Sequence, residues 1–348
     1  MPGLRPIVIL GPTAGGKSSL AVALATTHAG TGPPGEIVSA DSMQVYRHLD
    51  AGTAKPTPDQ RDAVPHHLID VVDPSERFTV ADWLERADAA IADIQQRGRR
   101  PIVVGGTNLY LKALLEGLFD GPPPDDALRR QLQRRPPAEL HARLAAVDPD
   151  AAGRITPQDA PRLLRALEVF ELTGRPISSF QQQWREASGD PASPVYRHDP
   201  VLIGLRFAPD TINPRINQRV KAMFHPRQVD ADVAAAVCPA GESLPDEVER
   251  LTAGGLLPPA SQAAQALGYK QVLAVRRGDD PKLRTMDDAM ERTKVLTRRF
   301  AKQQRTWLKR FRGVAWLDMP RDDAAEAAAA AIKAAPSPAD PGSPGRPS

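Results

Sequence analysis

The sequence predicts an α/β fold in which a parallel β-sheet carries helices on both faces and a small helical domain is inserted into the chain. Short apolar runs alternate with stretches of helical spacing, which is typical of parallel sheets. A glycine-rich motif at residues 11–18 joins the first apolar run to the first helical stretch. Residues 119–200 differ, because they are punctuated by proline and rich in Arg and Leu, with no strand pattern before "PVLIGLRF" at 200–207.

The order of the predicted elements follows from these patterns. Strands are expected at "PIVIL" (6–10), at "EIVSA" directly before Asp41, and at "PIVVGG". A helix-like "TVADWLERADAAIADIQQRGRR" precedes the third strand, and a helical "NLYLKALLEGL" follows it. The chain is expected to return to the sheet at Val201 and to be mainly helical from about 213 to 317. Ligands of parallel sheets gather at the carboxyl ends of the strands.

The same patterns predict the domain boundaries. An α/β core comprises residues 1–118 and 201–335, and an inserted helical domain comprises residues 119–200. The remaining residues, 336–348, are rich in Pro, Ser and Gly. These residues offer too little apolar area to offset chain entropy, so a disordered tail is expected.

Composition excludes several classes of protein. Hydrophobic residues make up 41% and charged residues 25%, as is ordinary for soluble proteins. No apolar run approaches the ~18 residues of a membrane helix, and the first residues lack the pattern of a signal peptide, so a cytoplasmic protein is expected. The single cysteine, Cys238, excludes an internal disulfide and a multi-cysteine zinc site.

Residues 11–18, "GPTAGGKS", match the phosphate-loop pattern G-x-x-x-x-G-K-[ST], and their strand–loop–helix context indicates a P-loop NTPase-like core. Backbone N–H groups and a helix N-terminus bind the anion, Lys17 adds a positive charge, and Ser18 offers its hydroxyl to Mg²⁺. The predicted phosphate ligands are Gly11, Pro12, Thr13, Ala14, Gly15, Gly16, Lys17 and Ser18. The motif does not identify the group attached to the phosphates.

Polar residues follow the next two predicted strands at the same edge of the sheet. Asp41 could bind magnesium through water, cap the next helix, or accept a proton from a substrate. Thr107 could donate and accept hydrogen bonds at a substrate, or cap the helix that follows it. Position alone leaves these alternatives open.

Residues 294–312 contain eight Lys or Arg residues and no acidic residue. At helical spacing, one stripe is expected to carry Arg298, Lys302, Arg305, Lys309 and Arg312. The opposite face is expected to carry Leu296, Phe300, Trp307 and Phe311. A basic stripe anchored by aromatic residues suits a nucleic-acid backbone, and a solvated helix face is the alternative.

Two further clusters are interpreted as structural. "RTMDDAMER" contains Asp287 and Asp288 in an acidic spacing found in magnesium sites, but Thr285 is a good N-cap and acids are favoured in the first helical turn. His66 and His67 would point to opposite faces of a strand and could not chelate one ion, so they are interpreted as loop or packing residues.

Eight segments, in order, resemble the tRNA dimethylallyltransferases (tRNA isopentenyltransferases). They are "GPTAGGKSSLA", "SADSMQVYRHLDAGTAKPT", "PHHLIDVVDPSERFTVADW", "VVGGTNLYLKALLEGL", "DAPRLLRALEVFELTGRPIS", "NPRINQRVKAMF", "QALGYKQV" and "TRRFAKQQRTWLKRF", and they run from about residue 7 to residue 317. The chain departs from the family at residues 225–243, "HPRQVDADVAAAVCPAGES", where the family usually continues quickly to a "GLVDEV"-like turn. We interpret this stretch as an inserted loop.

The resemblance implies transfer of the dimethylallyl group of dimethylallyl diphosphate to the exocyclic amine of the adenosine 3′-adjacent to the anticodon of tRNA, without consumption of ATP. It implies that the phosphate loop holds the diphosphate with Mg²⁺, that Asp41 accepts the proton of the amine, and that Thr107 helps to hold the amine. Arg219, with Arg215 one turn before it, is implied to neutralise the leaving diphosphate. An aromatic amine is a poor nucleophile and needs such a proton acceptor.

The resemblance also implies a tRNA-binding surface, because a base in an RNA loop must be unstacked before Asp41 can reach its amine. The implied tRNA contacts, with cations of the basic helix added, are Asp41, Ser42, Met43, Gln44, Thr107, Arg129, Pro161, Arg162, Leu163, Leu164, Arg165, Gln265, Gly268, Tyr269, Lys270, Arg298, Lys302 and Arg305. The protein is expected to act on tRNA as a monomer.

Three other functions stay open on the sequence. The phosphate loop alone favours an ATP-dependent small-molecule kinase, and an RNA-binding module could carry the loop as a relic. The argument against a relic is that the chain keeps Lys17, Ser18, Asp41 and Thr107. A related enzyme type prenylates free AMP, ADP or ATP, but the basic helix and the large inserted domain favour tRNA.

Overall fold

The computed structural model describes residues 4–26, 33–119, 121–181 and 195–335. The chain divides into two compact units. The core unit comprises Met1–Leu115 with Arg197–Ser348, and the inserted unit comprises Glu116–Tyr196. The predicted disordered tail, residues 336–348, lies outside the described residues.

The described part of the core unit contains a six-stranded parallel sheet. Its strands are β1 (Ile7–Leu10), β2 (Gly35–Ser39), β3 (His66–His67), β4 (Arg100–Val104), β5 (Val201–Phe207) and β6 (Val314–Met319). The strand order is β3-β2-β4-β1-β5-β6, and every neighbouring pair is parallel. β1 lies between β4 and β5 and is buried along its whole length, as is typical of a central parallel strand. The predicted fold class is thus confirmed.

Two strands were not expected from the sequence, because each lies at an edge of the sheet. β3 contains only His66 and His67, which pair with β2, so of the two interpretations, loop or packing residues, the loop was wrong. β6 pairs with β5 within a stretch that was predicted to be mainly helical. Only Leu317 is buried in β6, so this strand lacks the continuous apolar run that identifies buried parallel strands.

Fourteen α-helices have defined bounds among the described residues. In the core unit before the insertion they are α1 (Lys17–Thr26), α2 (Pro58–Ala63), α3 (Val80–Gln96) and α4 (Asn108–Glu116). The inserted unit contains α5 (Asp126–Gln133), α6 (Pro137–Val147), α7 (Pro149–Ala152) and α8 (Ala160–Thr173). The core unit continues with α9 (Pro209–Phe224), α10 (Ala231–Val237), α11 (Leu244–Ala253), α12 (Tyr269–Arg277), α13 (Met286–Leu308) and α14 (Ala324–Ala334). In the described ranges, no helix is both long enough and apolar enough to cross a membrane.

Helix α3 shows how the sequence specifies a helix that packs on the sheet. Thr79 caps its N-terminus in a capping box with Asp82, which satisfies amide groups that have no partner within the helix. Trp83, Ala87 and Ile91 recur at helical spacing and are fully buried. The indole of Trp83 donates to the carbonyl of Ser39 at 2.9 Å, so α3 is bonded to the end of β2.

The inserted unit has a hydrophobic core of its own. Its buried leucines come from three helices and are Leu132, Leu140, Leu144, Leu163, Leu164 and Leu167. Glu168 of α8 is fully buried and forms ion pairs with Arg129 at 2.8 Å and Arg165 at 2.6 Å. A buried carboxylate requires such partners, so these arginines stabilise the unit.

The stretch 225–243, interpreted as an inserted loop, is partly helical. It contains a 3₁₀ turn at Pro226–Gln228 and helix α10, which Asp230 caps through the amide of Asp232 at 2.9 Å. Cys238 after α10 is buried. α9 continues unbroken to Phe224, so the insertion does not disturb the register of α9.

Candidate active site

The phosphate loop lies between β1 and α1, and its backbone adopts conformations that glycine permits. Gly16 has φ of +79°, in the left-handed region that side chains disfavour. A Cβ at Gly15 would lie 2.9 Å from the carbonyl oxygen of Pro12, which is too close. Lys17 is 9% exposed, and its Nζ donates to the same Pro12 oxygen at 2.8 Å. Contacts within the loop and with Lys17 therefore fix its conformation.

Lys17 is surrounded by charges as well as by protein. Burial, together with the positive charge of Arg219, lowers the pKa of Lys17 to about 8, although the negative charge of Asp41 opposes both effects. Three predicted site residues from separate parts of the chain therefore interact electrostatically. An anion bound at Lys17 would restore its charge.

Asp41 and Thr107 meet at the ends of neighbouring strands. Asp41 Oδ1 accepts hydrogen bonds from the amides of Met43 at 2.9 Å and Gln44 at 3.4 Å. Thr107 Oγ1 accepts from the amide of Ser42 at 2.9 Å and donates to its hydroxyl at 3.1 Å. The side chain of Thr107 thus holds the turn after Asp41. One expected role was to cap the following helix, but the hydroxyl of Thr107 bonds to Ser42 instead.

One oxygen of Asp41 stays available for chemistry. Within the described parts of the chain, Asp41 Oδ2 has no hydrogen-bond partner, since both bonds of the side chain use Oδ1. Asp41 also lines the same cavity as Lys17. The capping role therefore leaves room for a second role at a substrate.

Helix α9 supplies both predicted arginines. Arg215 Nε donates to the carbonyl of Ala14 in the phosphate loop at 3.0 Å, and its guanidinium lies 5.8 Å from the centre of the Phe207 ring. Arg219 Nη2 donates to the carbonyl of Thr53 at 3.2 Å. The two side chains therefore reach the site from one face of α9, one turn apart.

Gln304 of α13 was not predicted from the sequence, although it joins two parts of the site. It is fully buried; its Oε1 accepts from the amide of Thr13 at 2.9 Å, and its Nε2 donates to the carbonyl of Gly106 at 2.8 Å. Gln304 lies on the buried face of α13 with Ala301 and Leu308. That spacing was the only signal in the sequence, and the surrounding cations obscured it.

Gln304→Leu is expected to destabilise the core unit by about 0.5–1.5 kcal/mol for each of the two hydrogen bonds that it removes. Leucine fills similar space but can bond neither Thr13 nor Gly106. Urea denaturation measures the change in the free energy of unfolding. Gln303→Leu, at the exposed neighbouring position, is the control. Equal stability of the two variants would contradict the bridging role.

These groups surround a cavity of about 470 Å³ in the core unit. The predicted site residues that line it are Thr13, Lys17, Ser18, Asp41, Ser42, Met43, Gln44, Thr107, Arg219 and Gln265. Apolar side chains complete the wall, among them Met223, Leu296 and Phe300. The cavity therefore joins a cationic, anion-binding region to an apolar region and a carboxylate.

Several predicted tRNA contacts are corrected by burial. Leu163 and Leu164 lie in the core of the inserted unit, where RNA cannot reach their side chains. Of the same segment, Pro161 and Arg162 are exposed. Arg129 and Arg165 are half-buried and paired with Glu168, so their first role is structural.

The "QALGYK" segment, residues 265–270, divides in the same way. Gln265 and Lys270 are exposed, but Gly268 and Tyr269 are buried. A Cβ at Gly268 would lie 2.6 Å from Leu244 Cδ2, and the hydroxyl of Tyr269 donates to Glu247. Packing therefore explains this glycine and this tyrosine, and neither residue is exposed for the expected contact with tRNA.

The basic helix is rotated relative to the predicted stripe. Arg298 donates to the side chain of Asn217, and Arg305 donates to the carbonyl of Phe207 at 3.2 Å, so both bond within the protein. Phe300, expected on the buried face, is 37% exposed and lines the cavity. Helix α13 ends at Leu308, before two of the predicted cations. The exposed cations of 294–312 are Arg299, Lys302, Lys309, Arg310 and Arg312.

The acidic cluster has the structural role that was expected. Thr285 caps α13 in a capping box with Asp288, and Asp287 lies in the first turn. Asp287 also accepts a bond from His225 at 3.0 Å. His67 contacts Glu36 at 2.7 Å, and His66 contacts the carbonyl of Val64 at 2.7 Å, so the two histidines have separate partners.

Comparison with known proteins identifies the family. The IPP transferase family model matches residues 44–311. The tRNA dimethylallyltransferase of Geobacter metallireducens is 42% identical to this chain, covering 91% of this chain and 93% of that one. The relative of the same name in Anaeromyxobacter dehalogenans strain 2CP-C is 43% identical, covering 93% and 98%.

Two solved structures are also similar to this chain. A tRNA isopentenylpyrophosphate transferase from Bacillus halodurans matches with a TM-score of 0.63 and 34% identity, covering 94% of this chain and 97% of that one. A eukaryotic dimethylallyltransferase acting on tRNA matches with a TM-score of 0.70 and 27% identity, covering 90% and 74%. The chain therefore belongs to the IPP transferase family, whose matching relatives are named tRNA dimethylallyltransferases.

Proposed function

We propose that the protein transfers a dimethylallyl group from dimethylallyl diphosphate to the exocyclic amine of the adenosine 3′-adjacent to the anticodon in tRNA. The products are N6-isopentenyladenosine and diphosphate. The observation that carries the proposal is that Lys17, Asp41, Thr107 and Arg219 line one cavity of about 470 Å³. Membership of a family of tRNA dimethylallyltransferases supports it.

In this reaction the amine nitrogen forms a bond to C1 of the dimethylallyl group while the bond from C1 to the diphosphate oxygen breaks. The amine loses a proton, which the carboxylate of Asp41 accepts. The diphosphate gains negative charge as it leaves, and Lys17, Arg219 and the amides of the phosphate loop stabilise that charge. Thr107 fixes the turn that carries Asp41 and offers its hydroxyl beside the amine.

The site also fits a magnesium ion held largely by the substrate. The described residues contain no cluster of three or more His, Cys, Asp or Glu side chains that could hold a metal alone. Mg²⁺ commonly binds through one or two protein oxygens together with phosphate oxygens and water. Ser18 lines the cavity and would supply one such oxygen. A bound magnesium ion would neutralise charge on the diphosphate.

One assay tests the proposed function. Purified protein, unmodified tRNA and labelled dimethylallyl diphosphate are expected to yield labelled RNA, and magnesium is expected to increase the rate. ATP hydrolysis without transfer would indicate a kinase-like enzyme instead. Label transfer to free AMP, ADP or ATP but not to tRNA would indicate a nucleotide prenyltransferase, and RNA binding with neither reaction would indicate a binding module.

The affinity for diphosphate is expected to fall as pH rises above about 8, by up to about tenfold per pH unit, because the pKa of Lys17 in the free protein is about 8. Above that pH, Lys17 is neutral and must take up a proton to bind the anion. Calorimetry at pH ~9 in two buffers of different ionisation enthalpy measures this uptake. Lys17→Met supplies the baseline, since protons taken up by diphosphate itself remain in that variant. Equal uptake by both proteins would contradict the assignment.

The exposed cations of residues 294–312 are expected to bind the tRNA backbone. Changing Arg299, Lys302 and Lys309 together to Gln should reduce the salt dependence of log K by about 0.7–0.9 for each phosphate that the variant no longer neutralises. Binding of tRNA over a series of salt concentrations measures this slope. Arg298→Gln is the control, because Arg298 bonds to Asn217. An unchanged slope in the triple variant would indicate that these cations form a solvated helix face and do not bind the tRNA backbone.

We also propose that the protein acts as a monomer in the cytoplasm, where tRNA is modified. One cavity in one core unit carries all the proposed catalytic groups, so transfer needs no second copy. Sedimentation velocity at working concentration tests the monomer, and a dimer that dissociates with loss of transfer would contradict it.

A further inference from the structure

The segment Asp50–Lys55 connects the proposed catalytic groups to the rest of the core unit. The carbonyl of Thr53 accepts hydrogen bonds from Arg219 Nη2 at 3.2 Å and from Gln44 Nε2 at 3.4 Å. The position of the Arg219 guanidinium therefore depends on where this carbonyl lies. Thr53 also lines the cavity.

The end of this segment is held in an unfavourable backbone conformation. Ala54 has φ of +46°, in the left-handed region that residues with a Cβ seldom adopt, so surrounding contacts must stabilise it. Lys55 is 1% exposed, donates to the carbonyl of Tyr46 at 2.7 Å, and pairs with Asp50 at 2.9 Å and with Asp70 at 2.5 Å. These bonds fix the segment from one side.

On the other side the segment is held by a buried carboxylate from α11. Glu247 is 1% exposed, and its Oε2 accepts hydrogen bonds from the amides of Asp50 at 3.1 Å and Ala51 at 2.9 Å. Its Oε1 accepts from the hydroxyl of Tyr269, the first residue of α12. The Tyr269 ring also contacts Gly52 so closely that a Cβ there would lie 2.2 Å from a ring atom.

This arrangement is electrostatically unfavourable by itself. Burial raises the pKa of Glu247 to about 7, since the carboxylate loses its hydration, although the bonds from Tyr269 and Ala51 lower it in part. Apolar side chains could join α11 to the segment without burying a carboxylate. The carboxylate instead forms directional hydrogen bonds, which fix the amides of two consecutive residues shortly before Thr53.

We propose that Glu247 and Tyr269 are positioning residues, which hold Asp50 and Ala51 so that the carbonyl of Thr53 aims Arg219 at the leaving diphosphate. The inference rests on the proposed function, in particular on the role of Arg219. The residues that line the cavity include neither Glu247 nor Tyr269, so both act through the segment. Tyr269 thereby has a role in transfer without contacting tRNA.

Single-turnover prenyl transfer by the full chain tests this inference. Glu247→Leu removes the acceptor and is expected to slow transfer at saturating substrates by about 10²-fold, the effect of misplacing a catalytic group by roughly 1 Å. The Kd of tRNA is expected to change by less than about threefold, because Glu247 does not touch the RNA. Glu247→Gln can still accept both amide bonds and should restore the rate to within about tenfold of wild type. Tyr269→Phe keeps the ring, loses the hydroxyl, and supplies a milder variant if Glu247→Leu does not fold.

Glu36→Leu is the matched control, because Glu36, like Glu247, is a carboxylate that is only 1% exposed. Its partners are different, since it forms ion pairs with Arg97 and His67. Both leucine variants are expected to lower Tm, and only Glu247→Leu is expected to slow transfer. In a double-mutant cycle, Arg219→Gln with Glu247→Leu is expected to be no slower than Arg219→Gln alone.

Three results would overturn the inference while wild-type transfer is observed. They are a wild-type rate in the folded Glu247 and Tyr269 variants, equal slowing by the Glu36 variant, and additive effects in the cycle. A lack of transfer by the wild-type protein would refute the proposed function itself, which distinguishes the two failures.

Discussion

Asp41→Asn is expected to lower the single-turnover rate of prenyl transfer by about 10²–10⁴-fold, while donor and tRNA still bind. Asparagine keeps the shape, and its amide oxygen can accept the bonds that Asp41 Oδ1 receives from Met43 at 2.9 Å and Gln44 at 3.4 Å. The turn after β2 should therefore persist. The variant loses only a group that can take the proton of the attacking amine.

A magnesium titration of the Asn variant distinguishes the two roles of Asp41 that the site permits. If Asp41 is the proton acceptor, excess magnesium leaves the rate low. Recovery to near wild-type rate at high magnesium would contradict that role and assign Asp41 to the metal. Asp230→Asn is the matched control, because Asp230 Oδ1 accepts an amide bond at 2.9 Å in the same way but caps α10.

Lys17→Ala is expected to reduce kcat/KM by the equivalent of about 2.7–4 kcal/mol, the cost of removing one preorganised donor from a developing anion. Nζ of Lys17 bonds only to the carbonyl of Pro12 among the described residues, so its charge is available to the diphosphate. Steady-state kinetics with varied dimethylallyl diphosphate measure the loss. Tm should not fall on electrostatic grounds, since burial and the charge of Arg219 already lower the pKa of Lys17 to about 8.

Lys333→Ala, a substitution on α14, controls for the loss of one positive charge, and it should leave kcat/KM unchanged. Saturable, ATP-stimulated turnover by the wild-type protein without any prenyl donor would contradict the assignment of the phosphate loop to dimethylallyl diphosphate. Unchanged transfer by Lys17→Ala would contradict the role of Lys17 in particular.

The central strands could be predicted because a strand that is buried on both faces has apolar residues next to one another in the sequence. β1, β2, β4 and β5 are almost entirely buried and each contains at least two adjacent apolar residues, and each was expected from the sequence. The edge strands β3 and β6 lack such a pattern, since β3 has two residues and β6 has a single buried residue. Pairing with a neighbour that is distant in sequence decides whether such stretches become strands.

The basic helix shows a similar limit. Charge and spacing predicted a helix over residues 294–312, and α13 covers most of it. Its rotation was predicted wrongly, because large apolar residues were expected to form the buried face. Gln304 is buried instead of Phe300, since two backbone groups of the site need its amide. A polar side chain can occupy a buried position when every bond it loses to water is replaced.

The sequence by itself predicted the phosphate loop and the α/β class and placed Asp41 and Thr107 at strand ends, because motif spacing and strand ends depend on residues that are close along the chain. Arg219 was singled out only by the resemblance to a known family. Only the tertiary structure decided which side chains are buried and which partners they meet. Glu247, Tyr269 and Gln304 bond to groups far away in sequence, and Leu163 is removed from solvent by other helices. No local pattern encodes such contacts, since they arise when the folded chain brings distant segments together and buries polar groups that must then find partners.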